Sequence, residues 1–246
     1  SSAASDVYKR QELAWLSGML HDVGRFEQIK RYNTFSDADS VDHAKFGADL
    51  LFKDGLISTF LKGMVKSTGY KPGALEDRYD SDGVFLYDRL NKSDMEMLEL
   101  AIRCHNMYRI PQGLNRREQA FCNVLRDADK VDIFKVNIDT PLEEIYNTTT
   151  EELMKSDITD EVLKAFDEEH CILKAIRRTP ADTVIGHVSL AYELVYDESV
   201  RITVEQGYLA KLMHFHSDNE ETNRKMAMVR EKMDSYVKKR IGEKDA

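Results

Sequence analysis

Proline is scarce in this sequence and glycine is not abundant, at 4 and 12 of 246 residues. So few chain breakers weigh against a many-turned β protein and favour helices. Cysteine is nearly absent. Cys104, Cys122 and Cys171 are odd in number, show no CxxC spacing, and are expected as buried, reduced thiols of a cytoplasmic protein. No apolar run is long enough to span a bilayer, and there is no secretory apolar region, so no membrane partner is expected. Basic charge is outweighed: 35 basic against 44 acidic residues leave a net −9. That balance argues against a broad nucleic-acid or anionic-membrane footprint, while leaving room for a small basic pocket that takes a phosphorylated metabolite.

What is present suits a soluble helical domain, with 42% hydrophobic and 32% charged residues. The length is enough to bury a sizeable core. The expected fold class is all-α, a helical bundle with additional C-terminal helices and no sheet larger than a hairpin. One domain is expected over 12–246, with a core at 12–140 and an extension at 141–246.

Leu13, Leu16 and Leu20 recur at helical steps, and Gly24 follows as punctuation. Residues 27–40 are polar and read as a loop. A helix from near Ser40 should place His43, Phe46, Gly47 and Leu50 on one face and end at Gly55. A further helix is expected over 57–65, then a surface excursion at 67–83. Ser93 with Glu96 reads as a capping box opening a helix whose inner face carries Leu98, Ala101, Ile102 and His105, closed by Pro111. Asn115 with Glu118 resembles another box, before a helix with Phe121, Val124, Leu125 and Ala128 inward. Helices are expected at 151–154, at 161–176 and from Asn219, with an ill-defined stretch around 182–214. The segment VRITV at 200–204 has strand propensity.

The chemistry lies in four segments. His21-Asp22 ends an apolar helix in LAWLSGMLHDVGRF. His43 and His105 lie on apolar faces of two other helices, and Asp129 lies at the inner edge of a fourth, in VLRDADKVDIF. Burying such groups without partners costs several kcal/mol each in order of magnitude. A divalent metal can satisfy all of them at once, since neutral imidazole and carboxylate are ordinary ligands for it; the alternative is that each histidine is satisfied separately by a backbone carbonyl.

These segments carry a resemblance. LSGMLHDVGR is similar to the central motif of the HD superfamily of metal-dependent phosphohydrolases. SVDHAKFGADLLF and LAIRCHNMYRIP resemble the segments that add histidines in its two-metal members. RDADKVD resembles the closing segment. The resemblance implies metal ligands His21, Asp22, His43, His105 and Asp129, the last chosen over Asp127 and Asp132. It implies one or two divalent ions among Mn, Fe, Co, Ni, Zn and Mg. It implies hydrolysis of a nucleotide or other small phosphoester, with Asp22 holding and activating water. Arg25 is expected to neutralise phosphate charge, with Lys45 and Arg109 as further substrate-binding candidates. Tyr32, Asn33, Thr34 and Phe35 are either a substrate wall or a hydrophobic loop anchor. The alternative function is a catalytically inactive regulatory or nucleotide-sensing module on the same fold. No Gly-Tyr-Pro signature follows the His-Asp pair, and no downstream Glu-Asp pair of the alarmone hydrolases is found.

The sequence departs from the superfamily pattern in one place. An upstream histidine normally precedes the His-Asp pair, and none of the residues before His21 is histidine. Residues 1–11, SSAASDVYKRQ, resemble a translated adapter fragment from a metagenomic reading frame, so native sequence is expected from near Glu12. Truncation and degeneracy are the competing explanations. The truncated form is expected to be impaired, with an apolar groove exposed beside Leu13, Leu16 and Leu20.

Overall fold

The computed structural model describes residues 2–60 and 90–242, without side chains for 2–6 and Tyr8. Helix makes up 74% of it, and no strand occurs among the described residues. The all-α expectation therefore holds, and VRITV is helical. No helix there is long and apolar enough to cross a membrane. The chain divides into two compact units, Ser1–Arg126 and Asp127–Ala246. The division falls earlier than the expected 140/141 boundary.

In the first unit, α1 (Ser2–Leu20) is followed by α2 (Val23–Tyr32) and α3 (His43–Ala48). A π-helical turn, Asp49–Lys53, prolongs α3. Residues 56–60 are again helical, and α4 spans Lys92–Cys104. The first part of α5 (Arg116–Asp139) completes the unit. The segment expected as a surface excursion, 67–83, and most of the helix expected at 57–65 lie outside the described residues.

Leu13, Leu16 and Leu20 of α1 form one core with Leu51, Leu98, Ala101, Ile102 and Leu125. Each leucine so buried contributes about 1.5–3 kcal/mol. The three α1 leucines, expected to border an exposed groove, are instead buried in this core. Residues 2–11, set aside from the sequence reading, belong to α1, and Lys9 pairs with the buried Asp94.

Several local expectations change. Residues 27–32 continue α2 rather than starting a loop; the helix stops where Asn33 takes the left-handed conformation (φ 53°). Its exposed charges, Lys30 and Arg31 against Glu27, are (i, i+3) and (i, i+4) partners, which is why a polar run here is helical. The inner face of α3 is rotated: Ala44, Ala48 and Leu51 are fully buried, whereas Phe46 and Leu50 are half-buried. Gly55 (φ 79°) follows the π turn, as a stop signal should.

Helix α4 opens on Asn91 and Asp94, not Ser93 and Glu96. Asp94 accepts the Asn91 N–H while Asn91 accepts that of Asp94. The earlier box wins because the Asp94 carboxylate is also paired with Lys9 and Arg117. The Asn115–Glu118 box forms as expected. In α5, Phe121 and Leu125 are buried, but Val124 and Ala128 are exposed and Cys122 takes the inner place.

Gly24 does not end a helix. It lies in the first turn of α2 against Gly47 of α3. A Cβ on Gly24 would meet the His43 carbonyl and stand 2.8 Å from the Gly47 nitrogen. Both are backbone atoms that cannot rotate away.

The second unit carries the remainder of α5, α6 (Leu142–Tyr146), α7 (Thr150–Lys155), α8 (Asp160–Asp167), α9 (Pro180–Val188), α10 (Asp197–Gln206), α11 (Tyr208–Met213) and α12 (Glu220–Ile241). The helix expected over 161–176 ends at Asp167, and only a short 3-10 turn, Lys174–Ile176, follows. Asn219 caps α12 as expected. Phe134, Leu153, Phe166, Ile185 and Met226 are among the core residues of the second unit. Asp182 is fully buried, with its carboxylate filled by the N–H groups of Thr159, Arg178 and Thr179. The three cysteines are free and buried.

Gly24→Ala is expected to force α2 and α3 apart and cost roughly 1–3 kcal/mol or more. Guanidinium unfolding followed by circular dichroism checks this, and an unchanged midpoint would show that the two helices tolerate separation. A second expectation concerns His187. Burial first, then the Arg177 and Lys174 charges, lower its pKa to about 3. Its folded form is neutral, while the unfolded ring titrates near ~6.5. The unfolded state therefore binds the proton more readily. This contribution is full above ~6.5 and is lost as pH falls from there toward about 3. Stability should decline by up to roughly 1 kcal/mol per pH unit in that window, and the decline should be shallower in His187→Asn.

Candidate metal centre

His21 and Asp22 occupy the turn between α1 and α2. His21 N–H still bonds the Ser17 carbonyl of α1, and Asp22 is the N-cap of α2. An aspartate there ordinarily accepts from the first helical N–H groups. Asp22 makes no such bond, and its carboxylate is turned to three imidazoles. His43 opens α3, with Asp42 as its cap. His105 follows the last residue of α4 and is buried.

Each imidazole is held through Nδ1 by an oxygen that can only accept. His21 Nδ1 is 2.7 Å from the Gly18 carbonyl and His105 Nδ1 is 2.7 Å from that of Ile102. His43 Nδ1 is 2.7 and 2.8 Å from the two oxygens of Asp37. In each neutral ring Nδ1 therefore carries the hydrogen, and Nε2 is the acceptor.

Those Nε2 atoms converge. His43 Nε2 stands 3.0 Å from His105 Nε2. Asp22 Oδ1 lies 3.3 Å from the first and 3.6 Å from the second. That oxygen is buried and accepts no hydrogen bond. His21 Nε2 is 3.7 Å from Asp22 Oδ2. The ligand atoms of His21, Asp22 and His105 all lie within 4.8 Å of one another, and this group can hold a metal ion. Arg25 Nε, 3.3 Å from Asp22 Oδ1, offsets part of the repulsion among these acceptors; a proton or a metal ion between the rings would relieve the rest, and the donor set of imidazole and carboxylate suits a divalent transition metal. Burial by itself raises the Asp22 carboxyl. Where the facing rings carry a proton, hydrogen bonds from His105 and His43 and the His21 and Arg25 charges outweigh it, and the group lies well below the usual carboxylate range.

Arg25 donates from Nε to Asp22 (3.3 Å) and from Nη1 to the Phe35 carbonyl (3.1 Å). It therefore sits at the cluster with part of its guanidinium exposed. Lys45 is exposed and paired with Asp42, and Arg109 is exposed over the Tyr108 ring. Neither is brought to the cluster by a contact with it. Tyr32 and Phe35 are largely exposed. Asp129 belongs to the second unit, on α5, where it is partly buried. Its neighbour Asp127 is committed elsewhere, to the N–H groups of Val195 and Tyr196.

Sequence reasoning missed Asp37 and Gln28. Asp37 lies in a polar stretch with Asp39 and Asp42, and periodicity offers no means of choosing among them. The only usable signal was the nearness of several carboxylates to His43. Compared with known proteins, the chain matches no family model, no curated protein and no solved structure.

Asp22→Ala and His105→Ala are each expected to weaken Mn²⁺ binding by more than about tenfold, measured by isothermal titration. Binding unchanged in both would show that the convergence serves no cation.

Proposed function

We propose that this chain is a metal-dependent phosphohydrolase of the HD type, acting on a nucleotide or other small phosphoester. The observation that carries this reading is the meeting of His43 Nε2, His105 Nε2 and the buried Asp22 Oδ1 within 3.6 Å of one another. The resemblance of the four sequence segments to HD motifs supports it.

His21, Asp22 and His105 would hold the ion, with His43 in reach of the same carboxylate. A bound divalent ion supplies Lewis acidity and lowers the pKa of water toward neutrality. The chain's own groups do the rest. Asp22, held ionised and only partly buried, orients the attacking water and helps hold the ion. Arg25, tied to Asp22 and to the loop carbonyl of Phe35, keeps its guanidinium at the edge of the cluster and opposes phosphate charge. The buried His43 and His105 rings exclude bulk water from one side.

The test begins with metal-stripped protein reloaded with Mn²⁺, Co²⁺, Zn²⁺ or Mg²⁺. Each form is screened against p-nitrophenyl phosphate, its diester and nucleoside mono-, di- and triphosphates. Hydrolysis of one class is expected, falling roughly a hundredfold or more in Asp22→Asn. Nucleotide binding with no turnover under any metal would replace this reading with a sensing module.

A further inference from the structure

We propose that Asp37 is a positioning residue. Clamped by the Gln28 amide, its carboxylate fixes the His43 ring with hydrogen on Nδ1 and turns the bare Nε2 toward Asp22 and His105. The claim about the ring stands on geometry alone; its consequence for a cation rests on the metal-centre reading above.

Both Asp37 oxygens face His43 Nδ1, at 2.8 and 2.7 Å. Oδ1 also accepts from Gln28 Nε2 (3.0 Å), and Oδ2 from Asn106 Nδ2 (3.3 Å). Arg25 Nη1 approaches Oδ1 at 3.9 Å. Asp37 is thus held by donors from α2 and from the turn after α4, while it holds the first residue of α3.

Gln28 is wholly buried on a helix whose other face is charged. Its amide nitrogen donates to Asp37 Oδ1, to Ser40 Oγ (2.8 Å) and to the Val41 carbonyl (3.0 Å). Ser40 Oγ spends its own hydrogen on the Ser36 carbonyl, so it can accept. All three partners are acceptors, so the NH₂ end of the amide, whose two hydrogens are shared among them, must face them. The orientation is therefore fixed, at the cost of a buried Oε1 without a partner. The whole device points one group, the carboxylate, at one ring nitrogen.

Without that carboxylate, the imidazole has a competing option. It can place its hydrogen on Nε2 and donate to Asp22 Oδ1, 3.3 Å away. That tautomer presents no lone pair to a cation. Asp37 decides between the two by accepting at Nδ1.

The experiment reads the tautomer directly. Metal-free protein with ¹⁵N-labelled histidine is examined at pH 9 by long-range ¹H–¹⁵N NMR, with His43→Asn to assign the ring. Wild type should show hydrogen on Nδ1, Asp37→Ala hydrogen on Nε2, and Asp37→Asn, which keeps an acceptor, should restore Nδ1. A ring that stays on Nδ1 in folded Asp37→Ala overturns the proposal. If that variant does not fold, Gln28→Met carries the test: a mixture of tautomers supports the proposal, and an unchanged ring overturns it. Co²⁺ titration forms the second arm. Asp37→Ala should bind roughly 10–100-fold more weakly with an altered visible spectrum, and Asp37→Asn much less so. A tautomer change in a protein that takes up no Co²⁺ in its wild-type form supports the positioning role and overturns the metal-centre reading instead.

Discussion

Gly24 and Gly47 meet without side chains between them, and this contact sets the distance between α2 and α3. Asp22 lies two residues before one glycine and His43 four before the other. An added Cβ on either side would separate the helices by moving backbone, which is stiff, and the carboxylate would leave the imidazole it now approaches at 3.3 Å. Close packing here is a condition for the polar geometry rather than a background to it.

On that frame the structure gathers groups that do not satisfy one another. Three rings donate outward through Nδ1 and present their acceptor nitrogens inward, next to an ionised carboxylate. A self-sufficient core would pair donors with acceptors. Elsewhere in the chain it does: Asp182 and Asp127 are buried, and each is filled by backbone N–H groups. The same residue type therefore serves as a closed structural plug in one unit and as an open electrostatic site in the other.

Much of this was legible in the sequence. The helical spacing of Leu98, Ala101, Ile102 and His105 placed a buried imidazole correctly, because burial of one α-helical face leaves a periodic trace. His21, Asp22, His43 and His105 were recognisable together, since histidines on apolar faces are conspicuous. The boundaries were harder. Residues 27–32 lack an apolar stripe and are helical through charge pairs and one buried glutamine, which leave little periodic signal. Asn91 displaced Ser93 as a cap because a distant lysine and arginine favour Asp94, a tertiary effect. VRITV became helix because its burial alternates with α10 rather than with a strand, Val200 and Thr203 facing inward. Asp37 was invisible for a related reason: its role is defined by partners 6, 9 and 69 residues away.

The division at Arg126 has a consequence for the order in which the protein is made. The core of the first unit is closed by Phe121, Cys122 and Leu125, the last of its described residues along the chain. On a ribosome, His21, Asp22, His43 and His105 and the described core residues of their own unit are all made before Asp127 is added. The second half of α5 then emerges as an extension of a helix already begun, so the next unit starts from an existing turn and is spared the cost of nucleating one.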